Sequence, residues 1–392
     1  MTVKMFMKTK RSELLTVIGL ALLFRFLIYF IYFVLMLMSD KYPGGIGFED
    51  YLEAWNRWDA PHYLDIAEFG YEHYEEGGQH LFLVFLPLYP WLIKLPGMLI
   101  GNYKLAGLLV STVCFVVGCV YLYLTVRDEY GSKTAWTALC AISIFPFSFF
   151  FGGIMTESLF FAIAAAFMYY LRRHKYVIVT LLGLVACLTK LQGSFLSLAI
   201  LFELAQDSKV VTLIREKRIR EVWSQFLWPG IKCIPMLLGV GIYLLINLSV
   251  EGNAFAFMKY QEEHWGHTVG PIWNTIGYMF GYLTSEPGST NSLCIWWPQM
   301  ILFFVLIAAI IYGIATRMRL SFLAYLVAFF LVTYSSTWLI SGARYTIVIL
   351  PLFVLIGHLI NRFPKAGYIL APASMSMTVI YMWAYFNWMQ IM

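Results

Sequence analysis

Residues 55–71 form the most chemically varied stretch of this sequence, because acidic, basic and aromatic side chains stand there among apolar ones. Proline fits only the first turn of an α-helix and glycine suits the position just after one, so Pro61 and Gly70 predict a helix from about residue 60 to residue 70. Asp59 would lie at the amino end of that helix. A carboxylate placed there can act as a general base, the group that removes a proton from an attacking hydroxyl.

Asp59 also has a simpler interpretation, since an aspartate before a helix commonly does no more than accept hydrogen bonds from the free N–H groups of the first turn. The neighbouring side chains favour the chemical role. Trp55, Trp58, His62 and Tyr63 are residue types that stack against sugar rings or form hydrogen bonds with their hydroxyl groups. The stretch is therefore predicted to be an active site that handles carbohydrate.

The rest of the sequence is typical of a polytopic membrane protein. Of its 392 residues, 60% are hydrophobic and only 12% are charged, and many apolar runs approach the roughly 20 residues that cross a bilayer. We predict an all-α fold with one membrane domain over residues 1–392. About eleven spans are expected, at 14–38, 103–125, 134–151, 154–171, 176–189, 191–206, 229–250, 293–315, 320–340, 344–360 and 367–388.

Two long connections, residues 39–102 and 251–292, are predicted on the outer side of the membrane. The first should carry short interfacial helices, one of them within the proline-containing run 85–101. Most of the 27 basic residues, beginning with positions 4, 8 and 10, fall on the other side, which the positive-inside rule assigns to the cytosol. The net charge of +5 therefore reflects membrane topology and predicts no nucleic-acid partner.

Four charged residues fall within or at the edges of predicted spans, where the cost of burying a charge makes each a functional candidate: Arg25, Glu157, Lys190 and Arg344. Two of them have open alternatives. Arg25 could snorkel or pair structurally with a carboxylate, or it could bind phosphate. Glu157 could be a residue favoured at a helix start, or it could take part in binding.

Lys190 is predicted at the tip of a helical hairpin, residues 176–206, next to Gln192 and below the outer surface. Arg344 lies at the same outer end of the predicted bundle, and neither cation has an acidic neighbour in sequence. Two cations that converge on one pocket are suited to hold a phosphate or pyrophosphate group.

The loop after residue 250 adds polar and aromatic side chains at Gln261, His264, Trp265 and His267. The two histidines could bind a divalent metal together with Asp59 or His62. Hydrogen bonds and aromatic stacking to a sugar ring explain the same residues without a metal. We therefore predict no metal site and no cofactor.

Several motifs occur in a fixed order over about residues 14–360. They are Trp58-Asp59-Ala60 with Ile66-Ala67-x-x-Gly70-Tyr71, then Phe85-Leu86-Pro87-Leu88-Tyr89-Pro90, Thr156-Glu157-Ser158-Leu159-Phe160, Gln261 with Trp265, and Arg344-Tyr345 before Pro351-Leu352-Phe353. Together they resemble the PIG-V family, which contains the second mannosyltransferase of glycosylphosphatidylinositol anchor assembly and bacterial relatives of that enzyme.

This resemblance implies a GT-C glycosyltransferase fold, a multi-span helical bundle whose first outer loop carries an acidic residue and interfacial helices. It implies a sugar donor linked to a polyprenyl phosphate, typically mannose on dolichyl phosphate in eukaryotes, and an inverting transfer without an obligatory metal. The compact loops favour a bacterial member that acts on a lipid or glycan acceptor at the outer face of the plasma membrane. A eukaryotic member would have its site in the lumen of the endoplasmic reticulum.

The predicted reaction assigns one role to each group of residues. Asp59 would be the general base, and Lys190, Arg344 and Arg25 would bind the donor phosphate. Sugar and acceptor would be bound by Trp55, Trp58, His62, Tyr63, Glu157, Gln192, Gln261, His264, Trp265 and Tyr345.

Two other classes of function would also place polar residues in a membrane domain. A flippase or transporter of a lipid-linked sugar would need buried cations, but inverted repeats or matched interrupted helices in two halves are expected of it and neither is visible. A structural protein would not need acidic and aromatic residues collected on one face. The sequence therefore favours an enzyme.

Overall fold

The computed structural model describes residues 11–391, so the basic residues Lys4, Lys8 and Lys10 lie outside the described part of the chain. The described residues form helices joined by turns, with isolated β-bridges in place of strands. The α-helices are α1 Arg11–Leu37, α2 Phe48–Ala54, α3 Ala60–Glu68, α4 Leu88–Ile100, α5 Tyr103–Tyr130, α6 Ser132–Ile144, α7 Glu157–Leu171, α8 Tyr176–Thr189, α9 Leu196–Ser208, α10 Val210–Arg215, α11 Ile219–Val222, α12 Trp228–Ile231, α13 Leu238–Glu251, α14 Ala256–Trp265, α15 Ile272–Ser285, α16 Trp297–Ala315, α17 Leu320–Tyr334, α18 Gly342–Thr346, α19 Leu350–Arg362 and α20 Pro364–Phe386.

Several of these helices have the length and apolar composition of membrane spans. Within residues 11–391, five helical stretches meet both requirements: Arg11–Leu37, Tyr103–Tyr130, Ile219–Glu251, Ser292–Ala315 and Pro364–Phe386. Five shorter apolar helices accompany them: Leu88–Ile100, Glu157–Leu171, Tyr176–Thr189, Leu320–Tyr334 and Leu350–Arg362. The all-α architecture is confirmed, and the number of eleven spans stays a prediction.

Helix α5 is a central element, because it packs against α1, α4, α6 and α7. It begins where the Asn102 side chain accepts a 3.0 Å hydrogen bond from the Leu105 N–H. Two glycines allow α7 and the segment before it to come close. A Cβ atom at Gly107 would lie 2.8 Å from Ile154, and one at Gly118 would lie 2.4 Å from Phe161. Small residues at such contacts are how helices pack closely in membranes.

One end of the bundle is tied together by ion pairs. The completely buried Glu203 of α9 pairs with Arg172, which follows α7, and with Arg319, which precedes α17. Ser321 donates a further hydrogen bond of 2.7 Å to the same carboxylate. Helix α7 runs from this end to Glu157, and its 15 residues span about 22 Å at 1.5 Å per residue. Arg172 and Arg319, which are predicted to be cytosolic, therefore lie at the opposite end of α7 from Glu157.

The loop that precedes α5 has the predicted short helices. The helix expected from residue 60 to 70 is confirmed as α3, Ala60–Glu68, and Gly70 follows it with a left-handed φ of +93°. The helix expected within residues 85–101 is confirmed as α4, and Gly101 ends it in the left-handed conformation, with φ 73°. These helices pack on each other and on α5, which places the loop against the end of the bundle.

The orientation of the bundle in the membrane is a first testable prediction. Single cysteines placed in residues 72–80, in a variant without the six native free cysteines, should react with a membrane-impermeant thiol reagent from outside the cell. Cysteines in residues 207–228 should react only after permeabilisation, because that segment is rich in basic residues. Labelling of 207–228 from outside would contradict the orientation and the outward-facing site.

Candidate active site

A cavity of about 200 Å³ opens at the end of the bundle that carries α3. It is lined by side chains from segments that are far apart in sequence. The polar and aromatic residues of its lining are Asp59, Tyr63, Phe85, Thr156, Thr189, Lys190, Gln192, Gln261, Trp265, His267, Trp338, Ser341, Arg344 and Tyr345. Tyr63, Gln192, Gln261, Trp265 and Tyr345 had been predicted to bind sugar or acceptor, and the fold brings them together with Asp59, Lys190 and Arg344.

Asp59 stands at the amino end of α3, but its side chain forms no capping hydrogen bond. A capping side chain normally accepts from the N–H of the second or third helical residue, and the second residue here is Pro61, which has none. The carboxylate instead accepts a 2.7 Å hydrogen bond from Arg344 Nη1. The simpler interpretation, that Asp59 only caps the helix, is therefore wrong.

Arg344 and Lys190 share a second carboxylate. Glu157 Oε1 lies 2.8 Å from Lys190 Nζ and 3.3 Å from Arg344 Nε, so it bridges the two cations. The Glu157 side chain is only 1% exposed, whereas that of Asp59 is 14% exposed and borders the cavity. The site thus holds two cations and two carboxylates in contact. Neither cation has an acidic neighbour in sequence, and these acidic partners come from distant parts of the chain.

Local backbone geometry positions both cations. Lys190 ends α8 in an extended conformation, and Gly193 N–H donates a 2.8 Å hydrogen bond to the Lys190 carbonyl. A Cβ atom at Gly193 would lie 2.4 Å from the Ala186 carbonyl, so only glycine permits this turn. Gln299 of α16 positions the short helix that carries Arg344. Its Oε1 accepts a 2.8 Å hydrogen bond from the N–H of Gly342, the first residue of α18.

Aromatic side chains surround the charged cluster. The Tyr345 ring lies 5.2 Å from Lys190 Nζ and 5.3 Å from the Arg344 guanidinium carbon, distances at which a cation is attracted to a ring face. Phe85 and Trp265 also line the cavity, and their rings meet edge to face with 6.2 Å between centroids. The cavity is therefore lined by both charged and aromatic side chains.

His62 packs against Phe85 but does not line the cavity. Its ring stacks on Phe85 with 4.9 Å between centroids. Burial lowers the pKa of His62, although the charges of Asp59 and Asp65 oppose the shift. The imidazole is therefore neutral near pH 7, and its place in the structure is to pack beneath the lining.

Two residues predicted to bind substrate are buried elsewhere. Arg25 donates a 3.1 Å hydrogen bond to the carbonyl of Ser148, and its guanidinium lies 4.1 Å above the Phe115 ring. Trp55 is completely buried, with its ring 4.3 Å from that of Tyr32. Neither lines the cavity, so the expectation that Arg25 binds phosphate and Trp55 binds sugar is not met by this fold.

Two further predicted residues also point away from the cavity. The Trp58 ring packs edge-on against that of Trp388, with 5.6 Å between centroids. His264 Nε2 forms a 2.8 Å hydrogen bond with Gln79 Oε1 on the exposed face of α14. The metal alternative needed His264 beside His267, and no group of three or more metal-ligating residues converges within residues 11–391.

The structure adds Trp338 to the cavity lining, a residue that the sequence did not single out, and places it there together with His267, a candidate for metal or sugar binding. They meet because residues 266–270 pair with residues 335–337. The Gly270 N–H donates to Ser335 at 2.7 Å, and the Thr337 N–H donates to Thr268 at 2.9 Å. Local sequence does not predict this pairing, because α15, α16 and α17 lie between the two segments.

Comparison with known proteins supports the fold. Residues 86–221 match the sequence model of the dolichyl-phosphate-mannose-protein mannosyltransferase family. No curated protein matches the sequence. The crystal structure of ArnT from Cupriavidus metallidurans bound to undecaprenyl phosphate is 16% identical with a TM-score of 0.55, and the match covers 94% of this chain and 76% of that one. The apo ArnT structure gives 15% identity and a TM-score of 0.51 over the same shares of the two chains.

An oligosaccharyltransferase from Archaeoglobus fulgidus is less similar, with 13% identity and a TM-score of 0.43 over 86% of this chain and 49% of that one. Membership of the PIG-V branch and a bacterial origin stay predictions. The matched segment, the apolar helices and the shared architecture with ArnT lead to one conclusion: the chain is an integral membrane protein with the GT-C glycosyltransferase fold.

Proposed function

We propose that this protein is an inverting glycosyltransferase that moves a sugar, with mannose as the first candidate, from a polyprenyl phosphate to an acceptor hydroxyl at the outer face of the membrane. The observation that carries the proposal is the contact between Asp59, whose side chain does not cap its helix, and the buried Arg344 in a cavity that Lys190 also lines. The family description and the undecaprenyl phosphate bound to ArnT support a lipid-linked donor.

Asp59 is the general base in this proposal. Its carboxylate borders the cavity and makes no hydrogen bond to the helix that follows it, so it is available to take a proton. The acceptor oxygen would attack the anomeric carbon from the face opposite the phosphate as Asp59 removes its proton. The C–O bond to phosphate would break on the other face, and the configuration of the sugar would invert. Base assistance of this kind contributes about 100- to 10,000-fold.

Lys190 and Arg344 would hold the donor phosphate and stabilise the charge that it gains as it leaves. Without donor, the charges of the two cations are balanced by the two carboxylates, Asp59 and Glu157. We therefore expect an incoming phosphate to take the place of one carboxylate. Glu157 is the more deeply buried of the two and contacts both cations, whereas Asp59 contacts only Arg344. We therefore expect the phosphate to displace Asp59 from Arg344, which frees the base for the acceptor. Because the two cations supply the positive charge, this mechanism requires no metal.

The acceptor would enter between α14 and the segment before α18. Gln261 and Trp265 line this side of the cavity together with His267 and Trp338. Burial lowers the pKa of His267, so its ring is neutral near pH 7 and suited to hydrogen bonds with sugar hydroxyls. The indole rings offer flat apolar faces for a sugar ring. A lipid or glycan that presents a free hydroxyl fits this chemistry.

A reconstituted assay tests the proposal directly. Purified protein in liposomes should consume polyprenyl-phosphate mannose in the presence of one member of a panel of lipid and glycan acceptors. Polyprenyl phosphate should be released, and nuclear magnetic resonance of the product should show the inverted anomeric configuration. Donors carrying other sugars test the preference for mannose. Movement of intact donor across the bilayer, with no sugar transferred to any acceptor, would contradict the enzyme and support a transporter.

A further inference from the structure

The segment that follows α20 lies beside the proposed active site, and two tryptophans make the contact. Trp58 precedes Asp59 and has a φ of 57°, and Trp388, near the end of the chain, has a φ of 58°. Positive φ is uncommon for residues other than glycine, and it persists where surrounding contacts hold it. The two rings meet edge to face, with 5.6 Å between centroids and 65° between planes. Two strained positions therefore face each other.

The strain at Trp58 directs Asp59. The Ala60 N–H donates a 3.0 Å hydrogen bond to the Arg57 carbonyl, which closes a tight turn with Trp58 and Asp59 at its centre. The direction of the Asp59 side chain depends on the backbone of this turn. If Trp58 relaxed to a negative φ, the turn would change its form and the carboxylate would leave Arg344.

Trp388 is itself fixed by the end of α20. The Met389 N–H donates to the Ala384 carbonyl at 3.0 Å, and the Trp388 N–H donates to the Tyr385 carbonyl at 3.3 Å. This pair of bonds around a left-handed residue is the Schellman arrangement that ends many helices. The arrangement turns the chain back and places the Trp388 ring against residues 55–59, which we call the catalytic loop.

Trp388 contacts more than one residue of that loop. The Arg57 guanidinium lies 4.4 Å above the Trp388 ring, so the indole touches both residues that precede Asp59. Tyr385, one turn earlier on α20, donates a 3.4 Å hydrogen bond to the Trp55 carbonyl. Tyr385 in the last turn of α20 and Trp388 just after the helix therefore contact the loop at three residues, Trp55, Arg57 and Trp58.

We propose that Trp388 is a positioning residue that keeps Trp58 in its left-handed conformation and thereby holds Asp59 at the cavity. This inference rests on the proposed role of Asp59 as the base. Trp388 is 50% exposed, so its contribution to stability is small, whereas its contact with the loop bears directly on the geometry of the reaction. A displacement of about 1 Å in a reacting group can cost on the order of 100-fold in rate.

Trp388→Ala should lower the turnover number by roughly 10- to 100-fold and leave the KM for the lipid-linked donor nearly unchanged. The thermal unfolding temperature should stay close to that of the unmodified protein. Trp388→Phe keeps a ring at the contact and should restore most of the turnover. Trp383→Ala is the matched control, because Trp383 lies on α20, the helix that Trp388 follows, is 37% exposed and has its ring contact with Phe386 rather than with the catalytic loop.

A double-mutant cycle tests whether the effect passes through Trp58. Glycine adopts the left-handed conformation readily, so in a Trp58→Gly background the further effect of Trp388→Ala should be much smaller. Equal losses in both backgrounds, or normal turnover in Trp388→Ala, would overturn the inference. Should Trp388→Ala fail to fold, Trp388→Leu carries the same test. Near-normal turnover in Asp59→Asn would contradict the proposed function itself. Failure of the Trp388 inference can therefore be distinguished from failure of the proposed function.

Discussion

Asp59→Asn is expected to purify with nearly unchanged thermal stability and to bind the lipid-linked donor, yet to lose about 100-fold or more in turnover. Asparagine has the shape of aspartate but cannot accept a proton from an acceptor hydroxyl near neutral pH. No capping bond is lost, because the Asp59 side chain makes none. Arg344 also keeps Glu157 as an anionic partner, so the substitution leaves no isolated buried charge. Turnover and thermal unfolding are measured on the same preparation.

Asp65→Asn is the control for this variant. Asp65 lies on the same helix, and its carboxylate is 3.0 Å from the ring of His73, outside the cavity. The control variant should retain most of the activity. Near-normal turnover in Asp59→Asn would end the general-base proposal, whatever the resemblance to known families implies.

Lys190→Gln is expected to weaken binding of polyprenyl phosphate by about 1.5 to 3 kcal/mol, the usual range for a hydrogen bond to a charged group. Since each 1.4 kcal/mol is roughly tenfold in affinity, the dissociation constant should rise from about 10-fold to more than 100-fold. Lys259→Gln is the control, because Lys259 lies on α14 near the same end of the bundle and its side chain is 59% exposed. Binding is measured by titration of each variant in detergent.

In the same titration, Asp59→Asn is expected to change the affinity for polyprenyl phosphate in the opposite direction. If the phosphate must displace Asp59 from Arg344, removal of that negative charge should tighten binding of polyprenyl phosphate. Unchanged affinity in Lys190→Gln would assign Lys190 to structure, as the counter-ion of the buried Glu157. Weaker binding in Asp59→Asn would contradict the exchange of carboxylate for phosphate at Arg344.

Several features of the molecule could be read from local sequence. Long apolar runs predict helices because a bilayer offers backbone groups no hydrogen bonds, so each segment must satisfy its own. Pro61 set the start of α3 because proline lacks an N–H and fixes φ. The turn that carries Lys190 was expected between two short apolar helices and is found there. In each case the determining interactions lie within a few residues of one another.

Other features depend on contacts that no local pattern contains. Asp59 and Arg344 are 285 residues apart, yet their contact decides that the carboxylate faces the cavity rather than the helix. Glu157 could not be identified as the shared partner of both cations, because that role requires the start of α7 to meet the turn after α8 and the helix α18. Arg25 has the residue type of a phosphate ligand, but the packing of α1 against α5 directs it to Phe115.

Local sequence therefore indicated many of the apolar helices and the residue types available for transfer chemistry, but it did not indicate α14 and α15 within the predicted loop 251–292. Which of these side chains share the cavity depends on tertiary structure. The packing of neighbouring helices determines which face of each helix is covered and which face lines the cavity. It also paired the cations with carboxylates, because a charge inside the bundle is stable only beside an opposite charge. Trp388 illustrates the difference. Its indole ring can support the catalytic loop because α20 packs beside α1 and so places Trp388 against Trp58.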